Sequence, residues 1–275
     1  MSANDIKPMR ADGMFTGVQD YYARYRPPIV PEVVTTILGL CPADVRVGDL
    51  LDLGTGTGQV VQAFAPFFRT IYAVELDADM LNRARADWAA ADPKPRPEVI
   101  WELSDVANYV APASAKLSLI TACRSFHWMD QAAILNRYST QSGDRASFSV
   151  FGDSSFWESA EPWAVATRKC VQSFLGEKRR ARSTTFSHHR RPYAEIVAES
   201  PFSNVSEAAV TVARKWSPRE VIGYLYSTTF ASRDLFGGAL SEFEKSVHQT
   251  LGEFTDAHGL LYEQATFNIV VGTKP

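Results

Sequence analysis

Three cysteines in 275 residues, Cys41, Cys123 and Cys170, are too few and too scattered for a disulfide framework or a zinc site. No apolar run approaches the ~18 residues that a membrane span needs, and the N-terminal MSANDIKPMR lacks the apolar centre of a signal peptide. Neither sign of charge dominates. The net charge is −3 and the pI near 6.0, which gives no electrostatic footprint for nucleic acid. His188, His189, His248 and His258 have no metal-ligand spacing with nearby acids or cysteines, so no metal is expected. Repeats and low-complexity tracts are missing as well. These absences leave a cytoplasmic protein without membrane or nucleic-acid partners, for which a homodimer stays open. At 45% hydrophobic and 21% charged residues, the chain can bury one sizeable core and an appended cap.

What is present is concentrated in LLDLGTGTGQ, Leu50 to Gln59, and in Glu75 at the end of IYAVEL. An apolar strand ends in an acid, a glycine turn opens a helix, and a second strand closes on another acid. Gly54, Gly56 and Gly58 have no Cβ, so the chain can turn sharply and a ligand can lie against bare backbone. Asp52 and Glu75 can accept hydrogen bonds, and a carboxylate at the end of a second strand suits a ribose diol. A dinucleotide fingerprint would carry its third glycine at position 59, which is Gln59 here. A phosphate loop needs a Lys-Ser or Lys-Thr pair after the glycines, and none follows. A ligand with a ribose and no phosphate remains; a purely structural tight turn is the plain alternative.

D-x-G-x-G-x-G followed by an acid at the next strand end resembles the cofactor motif of class I S-adenosylmethionine-dependent methyltransferases. The resemblance implies that the turn, with Thr55, backs the methionine part of the cofactor, and that Glu75, with its neighbour Leu76, holds the ribose hydroxyls. The order of elements agrees. Helix Gly58 to Phe68, strand IYAVEL, a helix capped by Asp77, strands VIWEL and LSLITAC, the helical period of HWMDQAAILNRYST and strand RASFSVFG alternate as in a mostly parallel sheet covered on both faces. After Gly152 come FWESAEPWAVATRKCVQSFLG, read as one amphipathic helix, then the basic EKRRARSTTFSHHRR and the short helix PYAEIVAES. Strand VSEAAVTVARKW, a helix from Ser217-Pro218, another from about Ala239 to Thr255 and strand ATFNIVVGTK follow. The fold class is therefore α/β, and the family implies a Rossmann-like, seven-stranded, mostly parallel sheet with an inserted helical lid. The expected division is a cofactor-covering segment over 1–48, the S-adenosylmethionine-binding core over 49–152, and lid helices with the last strands over 153–275.

Further residues follow from the same resemblance. QDYYARYRPPIV looks like the segment that folds over the cofactor in small-molecule enzymes related to trans-aconitate methyltransferase. This implies cofactor contacts for Tyr22 and Arg26, the latter able to pair with a carboxylate, and an acceptor contact for Tyr25. An N-terminal helix that merely packs its tyrosines on the core is the alternative. Asp105 matches the acid that receives the adenine amino group, with Val106 on the ring, although an aspartate after a strand also caps its own turn. TACRSFHWMD implies that Cys123 and Arg124 lie near the methionine portion, that His127 lies near the transferred methyl, and that Trp128 meets the acceptor. His127 can serve as general base, since an ordinary imidazole pKa of about 6.5 lies near working pH; capping the next helix or orienting the acceptor are its other readings. Asp153, Glu158 and Glu161 beside Trp157 and Trp163 suit the ammonium groups and ring faces of a polycationic sugar, and the region loosely resembles aminoglycoside N-methyltransferases of antibiotic biosynthesis, which implies an amine of such an amino sugar as the acceptor. Solvated lid acids are the plain reading of the same residues. The basic run Lys178 to Arg182, with Arg190 and Arg191, would instead serve a small carboxylic acid. Hydroxyl acceptors and a non-methylating S-adenosylmethionine-binding enzyme stay open.

Overall fold

Short runs rich in Leu, Val and Ile, several of them closed by an acid, become the strands of one sheet. In chain order these are β1 (Asp49–Leu53), β2 (Thr70–Glu75), β3 (Glu98–Leu103), β4 (Leu117–Cys123), β5 (Ser147–Asp153), β6 (Asn204–Trp216) and β7 (Leu261–Thr273). The computed structural model describes residues 17–91, 96–178 and 191–275, and two-residue strands at Arg180–Ala181 and Thr184–Thr185. The spatial order is β3-β2-β1-β4-β5-β7-β6. The first five strands pair in parallel, and β7 runs antiparallel to both β5 and β6. This is the Rossmann-like, mostly parallel α/β sheet of seven strands, with helices on both faces.

Side chains alternate across the pleat. Leu50, Ile71 and Leu119 enter one buried cluster with Val33 and Ile37 of α2 (Pro31–Leu40) and Phe64 of α3 (Gln59–Phe64). Leu51, Leu53 and Ile120 enter the other, against Ile134 and Tyr138 of α5 (Gln131–Gln141). Each fully buried side chain of this size contributes about 1.5–3 kcal/mol. The strand order reverses between β1 and β4, and in open α/β sheets ligands bind beyond the C-terminal strand ends at such a point. Three of the expected helices are shorter than the sequence pattern. The helix expected from Gly58 to Phe68 ends at Phe64, two residues before Pro66, which cannot continue a helical hydrogen-bond ladder. HWMDQAAILNRYST divides into a 3₁₀ turn, Phe126–Trp128, and α5, because the Asp130 side chain accepts from Ala133 N at 3.1 Å and opens a new helix. FWESAEPW likewise divides before Pro162, the first residue of α6 (Pro162–Leu175).

Past the short α7 (Tyr193–Ala198), which packs beside β6 and β7, three helices, α6, α8 (Pro218–Tyr226) and α9 (Leu240–Gly252), build a lid with its own core around Trp163, Leu225, Phe236 and Phe243. A capping box starts α8: the Ser217 hydroxyl accepts from Glu220 N, and the Glu220 carboxylate accepts from Ser217 N at 2.7 Å. The N-terminal strap, α1 (Gln19–Tyr25) and the extended residues after it, bridges this lid and α4 (Ala78–Ala91). Arg83 of α4 pairs with Asp20 at 2.6 Å, and Tyr21 packs edge-on against Tyr226. No described helix is long and apolar enough to cross a membrane.

Tyr25 lies directly on the backbone of α8. A Cβ built on Gly223 would fall 2.4 Å from Tyr25 Cδ2. Gly223→Ala should therefore lower stability by about 1–3 kcal/mol through overpacking, with much less effect in a Tyr25→Ala background. A thermal double-mutant cycle measures the coupling, and additive effects would mean that the ring simply moves aside.

Candidate active site

β1 ends at Leu53, and the chain turns through Gly54, Gly56 and Gly58 with φ of 71°, 56° and 80°. The three glycines serve different needs. A Cβ on Gly54 would lie 2.8 Å from Ser125 Cβ and one on Gly58 3.2 Å from Ala84 Cβ, whereas nothing lies within 4 Å of one on Gly56. Two of the glycines thus admit neighbouring elements, and Gly56 alone opens onto free space.

Glu75 braces the turn from below. Its Oε2 accepts from Gly56 N at 2.7 Å, and its Oε1 accepts from the N–H groups of Leu76 and Asp77, both at 2.9 Å. Burial raises its pKa, opposed by these three backbone donors. Asp52 lies deeper. Its Oδ1 accepts from the Thr121 hydroxyl at 2.8 Å, and burial pushes its carboxyl up to about 6, with Thr55 and Thr121 drawing it down. Asp52 Oδ2 and the hydroxyls of Thr55 and Thr57 are buried without a hydrogen bond of normal geometry. Ser104 N donates to the Glu75 carbonyl at 2.9 Å, which brings the end of β3 alongside. Asp105 is exposed there and caps its own turn, its Oδ1 accepting from Ala107 N at 2.8 Å; Val106 beside it is half-buried.

A cavity of about 470 Å³ opens beyond β4 and β5, under the lid. Tyr22, Arg26, His127, Trp128, Asp153 and Glu158 all line it, so the fold unites six residues drawn from three separate stretches of sequence. Ser125, also on its wall, joins it to the glycine turn by donating to the Leu53 carbonyl at 2.7 Å and packing on Gly54. Cys123 is half-buried at the end of β4, where loss of solvation pushes its thiol up to about 12. It is a neutral, inert side chain.

Three sequence expectations for the acceptor side need correction. Tyr25 does not line the cavity, because its ring sits on Gly223. Trp157 faces the lid core, 5.0 Å from the Phe230 ring and edge-on to it. Asp153 is on the wall, but its carboxylate holds two guanidiniums, Arg124 Nε at 2.6 Å and Arg214 Nη1 at 2.8 Å. Burial alone would raise its pKa; the two arginines outweigh burial and hold it at about 2. Glu161 accepts from Gln264 N at 3.3 Å. Of the basic run, Arg179, Arg182 and Arg190 lie outside the described residues, as do His188 and His189. Arg191 pairs with Glu199 at 2.6 Å. Arg214, Tyr224 and Asn268 belong to the site or its support without having been expected. They sit on lid and late-strand segments that carry no local motif. No group of three His, Cys, Asp or Glu among the described residues could hold a metal.

S-adenosylmethionine requires an acid for the ribose, room above the turn, and polar partners for its amino-acid end. Glu75, the open space at Gly56 and the orphaned atoms of Asp52, Thr55 and Thr57 meet those needs. A family model described as a methyltransferase domain matches residues 50–140, from β1 into α5. A solved structure described as a candidate type II methyltransferase from Anaeromyxobacter dehalogenans is similar at 17% identity, over 91% of this chain and 97% of its own, with a TM-score of 0.58. The YcgJ protein from Bacillus subtilis is similar at 12% identity, over 88% and 96%, with a TM-score of 0.50. At such identities the likeness is one of fold. No curated protein matches the chain. The glycine turn lies in a methyltransferase domain, and the chain is an enzyme whose cofactor is S-adenosylmethionine.

Two outcomes follow from the turn. Gly54→Ala should destabilise the fold by more than the 1–2 kcal/mol or so of left-handed strain alone, because its Cβ strikes Ser125. Gly56→Ala should cost only that strain, yet weaken S-adenosylhomocysteine binding more than Gly54 packing would suggest; calorimetry alongside melting curves separates the two. Asp52 has a folded pKa near 6 against 3.8 for the free side chain, so the folded state holds the proton more tightly. Its contribution is full below about pH 4 and is lost as pH rises through 6, by up to about 3 kcal/mol. Asp52→Asn escapes this loss, so its melting temperature relative to wild type should be higher at pH 8 than at pH 4.5. An equal difference at both would contradict the buried-carboxylate account.

Proposed function

We propose that this enzyme transfers the methyl group of S-adenosylmethionine to a small molecule held in the cavity under the lid. The observation that carries the reading is the continuity of the two sites through Ser125, which packs on Gly54 and lines the cavity. Bound at the turn, S-adenosylmethionine supplies an electrophilic methyl on a sulfonium. The residues that would hold it are Asp52, Thr55, Gly56, Glu75 and Leu76, with Asp105 and Val106 toward the adenine and Arg26 toward the carboxylate. What the protein must add is alignment and exclusion of water, and positioning alone can supply about 7–11 kcal/mol of barrier reduction.

The wall chemistry supports a neutral or anionic acceptor with a flat apolar body. Phe126, Trp128, Tyr193, Tyr224 and Phe230 line the cavity, with hydroxyls of Ser125, Ser155, Thr228 and Thr229 between them. A hydroxyl or carboxyl of such a molecule is the group to be methylated. His127 lies on the wall with its ring 4.7 Å from that of Trp128, and for a hydroxyl acceptor it takes the proton released on attack. An amino sugar is the second reading. Glu158 on the wall favours it, but Asp153, Glu161 and Trp157 are engaged elsewhere.

The test is incubation with radiolabelled S-adenosylmethionine and a panel of phenols, small carboxylic acids and aminoglycosides. Transfer to phenols or carboxylic acids is the expected result; transfer to aminoglycosides alone would reverse the preference, and transfer to none would favour a non-methylating role. Glu75→Gln should weaken S-adenosylhomocysteine about tenfold or more, the usual scale for a hydrogen bond to a charged group. His127→Ala should lower turnover of a hydroxyl acceptor about 10²-fold or more, with cofactor affinity little changed; unaltered turnover would remove the base assignment.

A further inference from the structure

Gln59 stands where a dinucleotide-binding turn would have its third glycine, and its side chain is engaged at both ends. Its Nε2 donates to the Arg26 carbonyl at 3.1 Å, and its Oε1 accepts from Arg124 Nη1 at 2.8 Å. Arg124 Nη2 donates to the Pro27 carbonyl at 3.3 Å. Two consecutive carbonyls of the strap are thus gripped by two side chains that flank the glycine turn and the end of β4.

Arg124 is held just as firmly from behind. Its Nε donates to Asp153, whose other oxygen pairs with Arg214 on β6. Its backbone adopts a φ of 57°, a left-handed conformation that a side chain tolerates only where its surroundings over-determine it. Gly152 makes the room: a Cβ there would stand 3.2 Å from Arg124 Cγ. The site thus maintains a strained arginine whose free arm points at the strap.

What that arm fixes is Arg26. The Arg26 guanidinium lies 4.9 Å from the Tyr22 ring centroid and 4.8 Å from that of Tyr224. It donates to the Tyr224 hydroxyl and the Ser227 carbonyl, both at 3.3 Å, and Arg26 has no carboxylate partner among the described residues. The Arg26 guanidinium, held between two rings on the cavity wall, is of a kind suited to pair with a carboxylate. We propose that Gln59 and Arg124 are positioning residues, which clamp the main chain at Arg26 and Pro27 to the glycine turn and so set where the Arg26 guanidinium stands. The role rests on the methyltransferase reading of the site.

The test uses the full chain, hydrogen exchange read by mass spectrometry, and titration with S-adenosylhomocysteine. Gln59→Leu removes both bonds of the amide. Gln59→Glu keeps the acceptor for Arg124 and loses the donor to Arg26. Arg124→Lys keeps a cation for Asp153 without the second arm. Exchange over residues 19–30 should rise about tenfold in Gln59→Leu and Arg124→Lys and less in Gln59→Glu, with peptides of β1 to β5 unchanged. Affinity for S-adenosylhomocysteine should fall about five- to tenfold in the same order. Wild-type exchange over 19–30 in both Gln59 variants overturns the clamp. Raised exchange with unaltered affinity overturns the positioning role. Should wild-type protein bind no S-adenosylhomocysteine, the methyltransferase reading falls and takes this role with it, whereas the exchange data still report whether the clamp exists. If Gln59→Leu fails to fold, Gln59→Glu carries the comparison.

Discussion

The Glu75 carboxylate is the contact on which the glycine turn after β1 depends. It accepts three backbone N–H groups, one from the glycine turn after β1 and two from the chain leaving β2. Neither segment could hold this shape alone, since Gly56 has a left-handed backbone with nothing packed against it. A single buried acid therefore sets the spacing between two strand ends. Burial disfavours the charged form and raises the Glu75 pKa, and the three donors oppose this only in part.

Across the strand ends, a second buried carboxylate does the opposite work. Asp153 is surrounded by guanidiniums and stays ionised far below its ordinary range, which makes it a tether between β4, β5 and β6. Removing one partner would strand a buried charge, so Arg124, Asp153 and Arg214 stand or fall together.

How much of this was legible in the sequence depends on how local each cause is. β4 coincides with LSLITAC, and α8 begins at Ser217-Pro218, because apolar runs and caps are written within a few residues. The glycine turn and the acid closing β2 were legible through spacing, whereas the bond from Gly56 N to the Glu75 carboxylate was not. Asp153 was misjudged for the converse reason: Arg124 and Arg214 lie 29 and 61 residues away, and no pattern near Asp153 announces them. The same holds for Tyr25, whose place is decided by the missing side chain of Gly223 on a helix near the other end of the chain. His127 and Trp128 lie on the cavity wall because the short turn after β4 carries both there.

The last two strands pair end to end, with Trp216 opposite Leu261, and the lid helices α8 and α9 leave and rejoin the sheet between these two residues. Neighbours across an antiparallel pair are only about 5 Å apart. An insert whose ends are already together adds little closure entropy as it lengthens. The segment between these two residues, which gives Tyr224, Thr228, Thr229 and Phe230 to the cavity wall, is therefore a module, one that evolution or an engineer can exchange while the sheet stays as it is.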